Sequence, residues 1–156
     1  MGKLSRLILG AILLAALAIP ATAAAKNSDF AGDLDGGGKI GITATVKKHK
    51  VREIIAVRVA ELPANCDESG TVDVQLAFGA SIKVDKKGKF SGKFVQPESG
   101  NVSTIKGRFK RSTVSGTFSF DRHYDGEEGG AGEDCTSGKL GFEAAKGAPD
   151  PTSPRA

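Results

Sequence analysis

The chain has no tryptophan, one tyrosine, one methionine, two cysteines and two histidines in 156 residues. Each scarcity closes something off. With Tyr124 as the only Tyr and no Trp, the chain lacks the exposed rings on which sugar-binding sandwiches and single-strand nucleic-acid binders stack their ligands, so no nucleic-acid partner is expected. Two cysteines are too few for a disulfide-built miniprotein. The histidines, His49 and His123, are far apart and have no Cys close by, so they make no zinc motif. His49 sits among bases. Asp121 and Asp125 flank His123, but no strained nucleophile turn of the Gly-x-Ser-x-Gly kind accompanies it. Paired carboxylates for glycoside cleavage could be drawn from the acids near His123, but without a cleft built for sugars. The expectation is a protein that is not an enzyme, with no catalytic residues.

Long apolar runs are scarce too. The one such run, Leu7 to Ile19, follows Lys3 and Arg6, is broken by Pro20, and leads into the small residues Ala21 to Ala25. Thirteen apolar residues fall short of the roughly 20 that span a bilayer. A basic start, an apolar centre and an Ala-x-Ala end read as a secretory signal peptide, residues 1–25, cut after Ala25 or else after Ala23. The expected destination is the periplasm, the cell surface or the exterior, with no membrane span after cleavage. Loss of Lys3 and Arg6 lowers the formal net charge from +4 to +2.

What the chain has in quantity is glycine, 21 residues and about twice the usual share, and alternation of apolar with polar side chains. Eight apolar sets follow the period of a strand: Ile40–Val46, Val51–Val59 with Glu53 out of step, Val72–Phe78, Ile82–Val84, Phe90–Phe94, Ile105–Phe109, Val114–Phe120 and Leu140–Ala144. No later stretch has helical spacing. The reading is all-β: an antiparallel β-sandwich of about eight strands over residues 39–146, with a closed β-barrel as the alternative. Seven of the eight Phe, all but Phe30, fall on the inward parity, as do Gly92, Gly107, Gly116 and Gly138, where a facing ring can fill the missing side chain's space. Residues 26–38 read as a loose lead-in and 147–156, with Pro149, Pro151 and Pro154, as a disordered tail. A monomer is expected.

Cys66 and Cys135 read as a disulfide, since an even pair in an exported chain is most often bridged. The bridge would join Asp67 and Glu68 to Glu133 and Asp134. The acids Asp121, Asp125, Glu127, Glu128, Glu133 and Asp134, opposed by Arg122 alone, then arrive at the same end. Flexible carboxylates on a Gly-rich loop are what calcium takes, so these eight acids are candidate calcium ligands, although no Asp-x-Asp-x-Asp-Gly order is present. Asp33 and Asp35 before Gly36 form a shorter candidate. No cofactor other than calcium is indicated, and a solvated acidic loop accounts for the same residues.

The bases make the opposite case. Lys47, Lys48, His49, Lys50 and Arg52 crowd the first hairpin, while Lys106, Arg108 and Lys110 share the outward face of one strand with Arg111 beyond. Such a face can hold an anionic polymer of the cell envelope, and it can equally be a soluble surface. The other partner considered is an extracellular protein: the 121–134 loop has the form of an inhibitor's presented loop. A minor enzyme around His123 is the remaining alternative.

The motifs Gly88-Lys89-Phe90-Ser91, Ile105-Lys106-Gly107-Arg108-Phe109, Ser115-Gly116-Thr117-Phe118 and Cys135-Thr136-Ser137-Gly138-Lys139-Leu140-Gly141-Phe142 span most of the chain beyond residue 25. In them the chain resembles small exported bacterial β-sandwich proteins of uncharacterised function. The resemblance implies a sandwich closed by one disulfide, and it implies no activity and no site. The functional expectation is an exported, non-catalytic binding or structural module.

Overall fold

The computed structural model describes residues 24–124 and 132–148. Most of the signal segment, Asp125, Glu127 and Glu128, and the tail from 149 onward lie outside the described residues.

The strands are β1 (Lys26–Leu34), β2 (Lys39–Lys47), β3 (Lys50–Cys66), β4 (Gly70–Lys83), β5 (Lys89–Gln96), β6 (Asn101–Lys110), β7 (Thr113–Tyr124) and β8 (Glu133–Lys146). Among the described residues, one 3-10 turn, Pro97–Ser99, is the only helical element. All eight strands are antiparallel members of one sheet, in the order β4-β3-β2-β1-β8-β7-β6-β5. Every strand thus lies beside its sequence neighbours except β4 and β5, and the first strand pairs with the last. A short second pairing joins the end of β3 to the start of β8.

The count of eight agrees with the periodicity, but the strands are not all the expected ones. The segment 26–38 is not loose: Lys26–Leu34 is β1, starting at the residue after the expected cleavage point and paired on both edges. Its Asp29, Asp33 and Gly32 hide the alternation. Gly32 is there because a Cβ would collide with the Glu143 carbonyl of the neighbouring strand. Phe30 is therefore a core residue, packed edge-on to Phe109 with ring centroids 5.1 Å apart. The expected strands at Val72–Phe78 and Ile82–Val84 are one strand, β4, continuous through Gly79.

β3 departs from its expected register for a physical reason. Register shifts against β2 and β4 let Ile54, not Ile55, turn inward, and Val57 and Val59 follow on the opposite parity. That is the action of a β-bulge, which inserts an extra residue and re-aims the side chains after it. Glu53, out of step in the sequence, stands on the outer face and accepts a hydrogen bond from the Ser81 hydroxyl at 2.5 Å. A second shift at Glu61, with φ of 53°, returns Leu62, Ala64 and Cys66 to the inside.

The inward faces form one apolar core. Its glycines follow the expectation only in part: Gly107 makes room for the Phe90 ring and Gly92 for Ile82, whereas Gly138 is exposed, with φ of 62° and nothing within 4 Å of a Cβ placed there, because the register shift beside Phe120 takes it off the inward face. Phe90, Gly107, Gly116 and Phe142 lie in one row across β5, β6, β7 and β8, so two rings flank two glycines. Phe78 on β4 stacks on Phe94 on β5, ring centroids 4.7 Å apart, so the sheet's two outermost strands meet through side chains. Burying such a side chain stabilises by roughly 2–3 kcal/mol.

Candidate functional site

Because every strand reverses direction, the turns after β2, β4 and β6 lie at one end of the sheet and those after β1, β3, β5 and β7 at the other. This sorts the charge. The first set contains Lys47, Lys48, Lys50 and Arg52, then Lys86, Lys87 and Lys89, then Lys110 and Arg111, with Asp85 the one acid among them. The second set contains Asp33 and Asp35, Asp67 and Glu68, Glu98, and Asp121, Glu133 and Asp134, against the bases Lys39 and Arg122. The bipolar charge of the sequence is thus an end-to-end separation.

At the basic end, three turns converge on a cavity of about 340 Å³. His49 comes from the first turn and Lys50 and Arg52 from the start of β3 beside it, Lys86 and Lys87 from the second turn and Arg111 from the third, over a floor that includes Val51, Val84 and Phe109. The lone acid is already occupied. The Asp85 carboxylate accepts hydrogen bonds from the Lys87 and Lys89 amides, both at 2.8 Å. The bond from Lys89, then that from Lys87, holds its pKa below the ordinary aspartate value.

Backbone conformation marks the same end. Lys48 and His49 form the whole turn between β2 and β3, both left-handed, with φ of 51° and 61°. A two-residue turn of this shape is ordinarily Asn-Gly, because a side chain there costs about 1 kcal/mol or more per residue. Arg111, in the turn after β6, is left-handed too, with φ of 51°. Three of the four left-handed non-glycine residues among the described residues are therefore basic-end turn residues.

The stripe Lys106, Arg108 and Lys110 is exposed on the outer face of β6, as the alternation implies. It runs toward the cavity, and Arg111 belongs to both. The register sets Lys89 of β5 beside Arg108 and Lys93 beside Thr104, which widens the stripe. Lys86, Lys87 and the floor were not singled out from the sequence. Counting turns as alternately one end and the other would have found the two lysines.

At the acidic end the two cysteines are bridged, and the bridge brings the two acidic stretches together as expected. The Asp67 amide bonds the Asp134 carbonyl at 3.0 Å. The carboxylates go to separate protein donors. Glu133 accepts from the Ser69 amide at 2.6 Å, Asp121 from the Thr136 hydroxyl at 2.7 Å, and Asp134 meets His123 Nδ1. Hydrogen bonding from Ser69 holds the Glu133 pKa below the ordinary glutamate value. Among the described residues, the one group of three metal-type ligands within 4.8 Å of one another is Cys66, Glu133 and Cys135, and its sulfurs are spent in the disulfide. The calcium candidates Asp121, Glu133, Asp134, Asp67 and Glu68 thus share an end, but no three of them bring ligand oxygens within 4.8 Å of one another, and Asp125, Glu127 and Glu128 lie outside the described residues. A second cavity of about 330 Å³ at this end is lined by Asn65, Asp67, Asp121, His123, Asp134 and Thr136, among others.

No protein-family model, curated protein or solved structure matches this chain. The disulfide fits an oxidising environment. Among the described residues, no helix is long and apolar enough to cross a membrane.

Proposed function

We propose that the protein is an exported, non-catalytic binding module that holds an anionic polymer of the cell envelope or exterior at its basic end. The observation that carries this reading is the convergence of three cationic turns on one cavity, continuous with the β6 stripe. A surface that was merely soluble would not need left-handed Lys48, His49 and Arg111 where Asn or Gly is cheaper. Export rests on the basic, apolar and Ala-x-Ala sequence of residues 1–25, together with the disulfide.

The finer architecture belongs to the same proposal. Chain-order neighbours, a first strand paired with the last, and stacked Phe78 and Phe94 favour an up-and-down barrel with a seam between β4 and β5 over two separate layers. Its outer face carries Lys93, Lys106, Arg108 and Lys139, which suits water rather than lipid.

The test is elution from immobilised long-chain polyphosphate in a salt gradient. Replacing Lys86, Lys87 and Arg111 by Ala should shift elution to lower salt. The loss of up to three phosphate contacts should flatten the salt dependence of binding by about two ions. Unchanged elution would remove the proposal.

A second reading has one observation in its favour. The exposed His123 holds a carboxylate partner, Asp134, beside the acidic-end cavity, which is how an acid orients a catalytic base. Ester hydrolysis by the purified protein that vanishes in His123→Ala would establish it, and equal background in both would end it.

A further inference from the structure

We propose that the basic-end cavity is a discrete site for one phosphate monoester carried on a small ring or aliphatic group. The inference rests on the reading of that end as an anion receptor and names what the cavity selects. A volume of about 340 Å³ holds a single phosphorylated small group and not the length of a polymer. The charges around it suit a dianion. Arg52, at the start of β3, and Arg111, in the turn after β6, bring planar donor forks from two different elements, and Lys50, Lys86 and Lys87 bring compact point charges. A monoester near neutral pH offers close to two negative charges and three acceptor oxygens, whereas a diester within a chain offers one charge. The floor is apolar. Phe109 is buried in the core beneath it and Val84 is half-buried, giving the organic part of the ester a surface that inorganic phosphate cannot use.

Calorimetry with phenyl phosphate, inorganic phosphate and diphenyl phosphate as probes tests this. Phenyl phosphate should bind about tenfold more tightly than either of the others. Arg52→Ala with Arg111→Ala should weaken it at least tenfold, while Lys139→Ala, on the outer face of β8, should leave it within twofold. If the double variant does not fold, Lys87→Glu on the exposed turn serves the same purpose. Phenyl phosphate that displaces polyphosphate from the protein identifies a polymer end as the occupant; binding without displacement identifies a free phosphoester. No binding, equal binding of diphenyl phosphate, or indifference to the arginine variant overturns the site. If polyphosphate retention persists in that case, the polymer reading stands. Phenyl phosphate binding without polymer retention supports the site and overturns the polymer reading.

Discussion

Cys66 and Cys135 stand directly opposite one another on β3 and β8, Cα atoms 4.0 Å apart, although β1 and β2 separate those strands in the sheet. They meet because the β1–β2 hairpin ends first. Its tip, Asp35 to Gly38, stops short of the Asn65–Thr136 and Cys66–Cys135 pairs, with Gly37 packed near Pro63 and Gly36 near Leu140. The disulfide therefore clasps the acidic end beyond that tip.

Reduction, or Cys66→Ser with Cys135→Ser, should lower unfolding stability by about 2–4 kcal/mol in urea titrations, the range for closing a long loop. Binding of anions should survive under conditions where the reduced protein is still folded, because the cationic turns lie at the other end. Loss of anion binding together with the disulfide, with the fold intact, would contradict the separation of the two ends.

Gly107 is fixed by Phe90 and by the strand beside it. A Cβ there would lie 2.5 Å from the Ser115 carbonyl oxygen and 2.7 Å from the Phe90 ring. Gly107→Ala should cost about 2–3 kcal/mol through overpacking. Gly79→Ala, with nothing within 4 Å and no positive φ, should be within about 0.5 kcal/mol of the parent. Equal costs at the two positions would refute the packing row.

Stability should fall with acidification. Asp85, Glu133 and Glu53 all have folded pKa values below their ordinary ones, through hydrogen bonds from Lys89 and Lys87, from Ser69, and from Ser81 with Lys83. A depressed folded pKa means that the folded state binds fewer protons than the unfolded one. The stabilisation is then complete above the ordinary carboxylate range and is lost as the pH drops through the folded values. Melting temperature should thus decline below about pH 5, and Asp85→Asn should make that decline shallower. A parallel decline in the variant would remove Asp85 from the account.

The β6 stripe should contribute to holding a polymer. Lys106→Ala with Arg108→Ala should lower the salt concentration at which the protein leaves immobilised polyphosphate, with no change in melting temperature, since both side chains are exposed. An unshifted elution would confine any binding to the end cavity.

Much of this architecture was legible in the chain. The alternation of Val114–Phe120 and Ile105–Phe109 marked β7 and β6 with their inward faces, and the pairing of the two cysteines followed from their number. β1 was not legible, because its apolar content is Phe30, Ala31 and Leu34 among Asp29, Gly32 and Asp33, and its strand state comes from pairing on both edges rather than from its own pattern. Ile54 was not legible either, since a bulge depends on the register of neighbouring strands and leaves a single strand's sequence merely out of step. The basic end was half visible. Lys47 to Arg52 stood out as a run, but that Lys86, Lys87 and Arg111 join it depends on which turns share an end, a property of the whole meander.

The most direct measurement is lysine footprinting by acetylation, with and without bound polyphosphate, read by mass spectrometry. Protection should concentrate at Lys48, Lys50, Lys86, Lys87 and Lys110, leaving Lys39 and Lys139 as reactive as in the free protein. Uniform protection, or protection centred on Lys39 at the acidic end, would contradict a basic end built to receive anions.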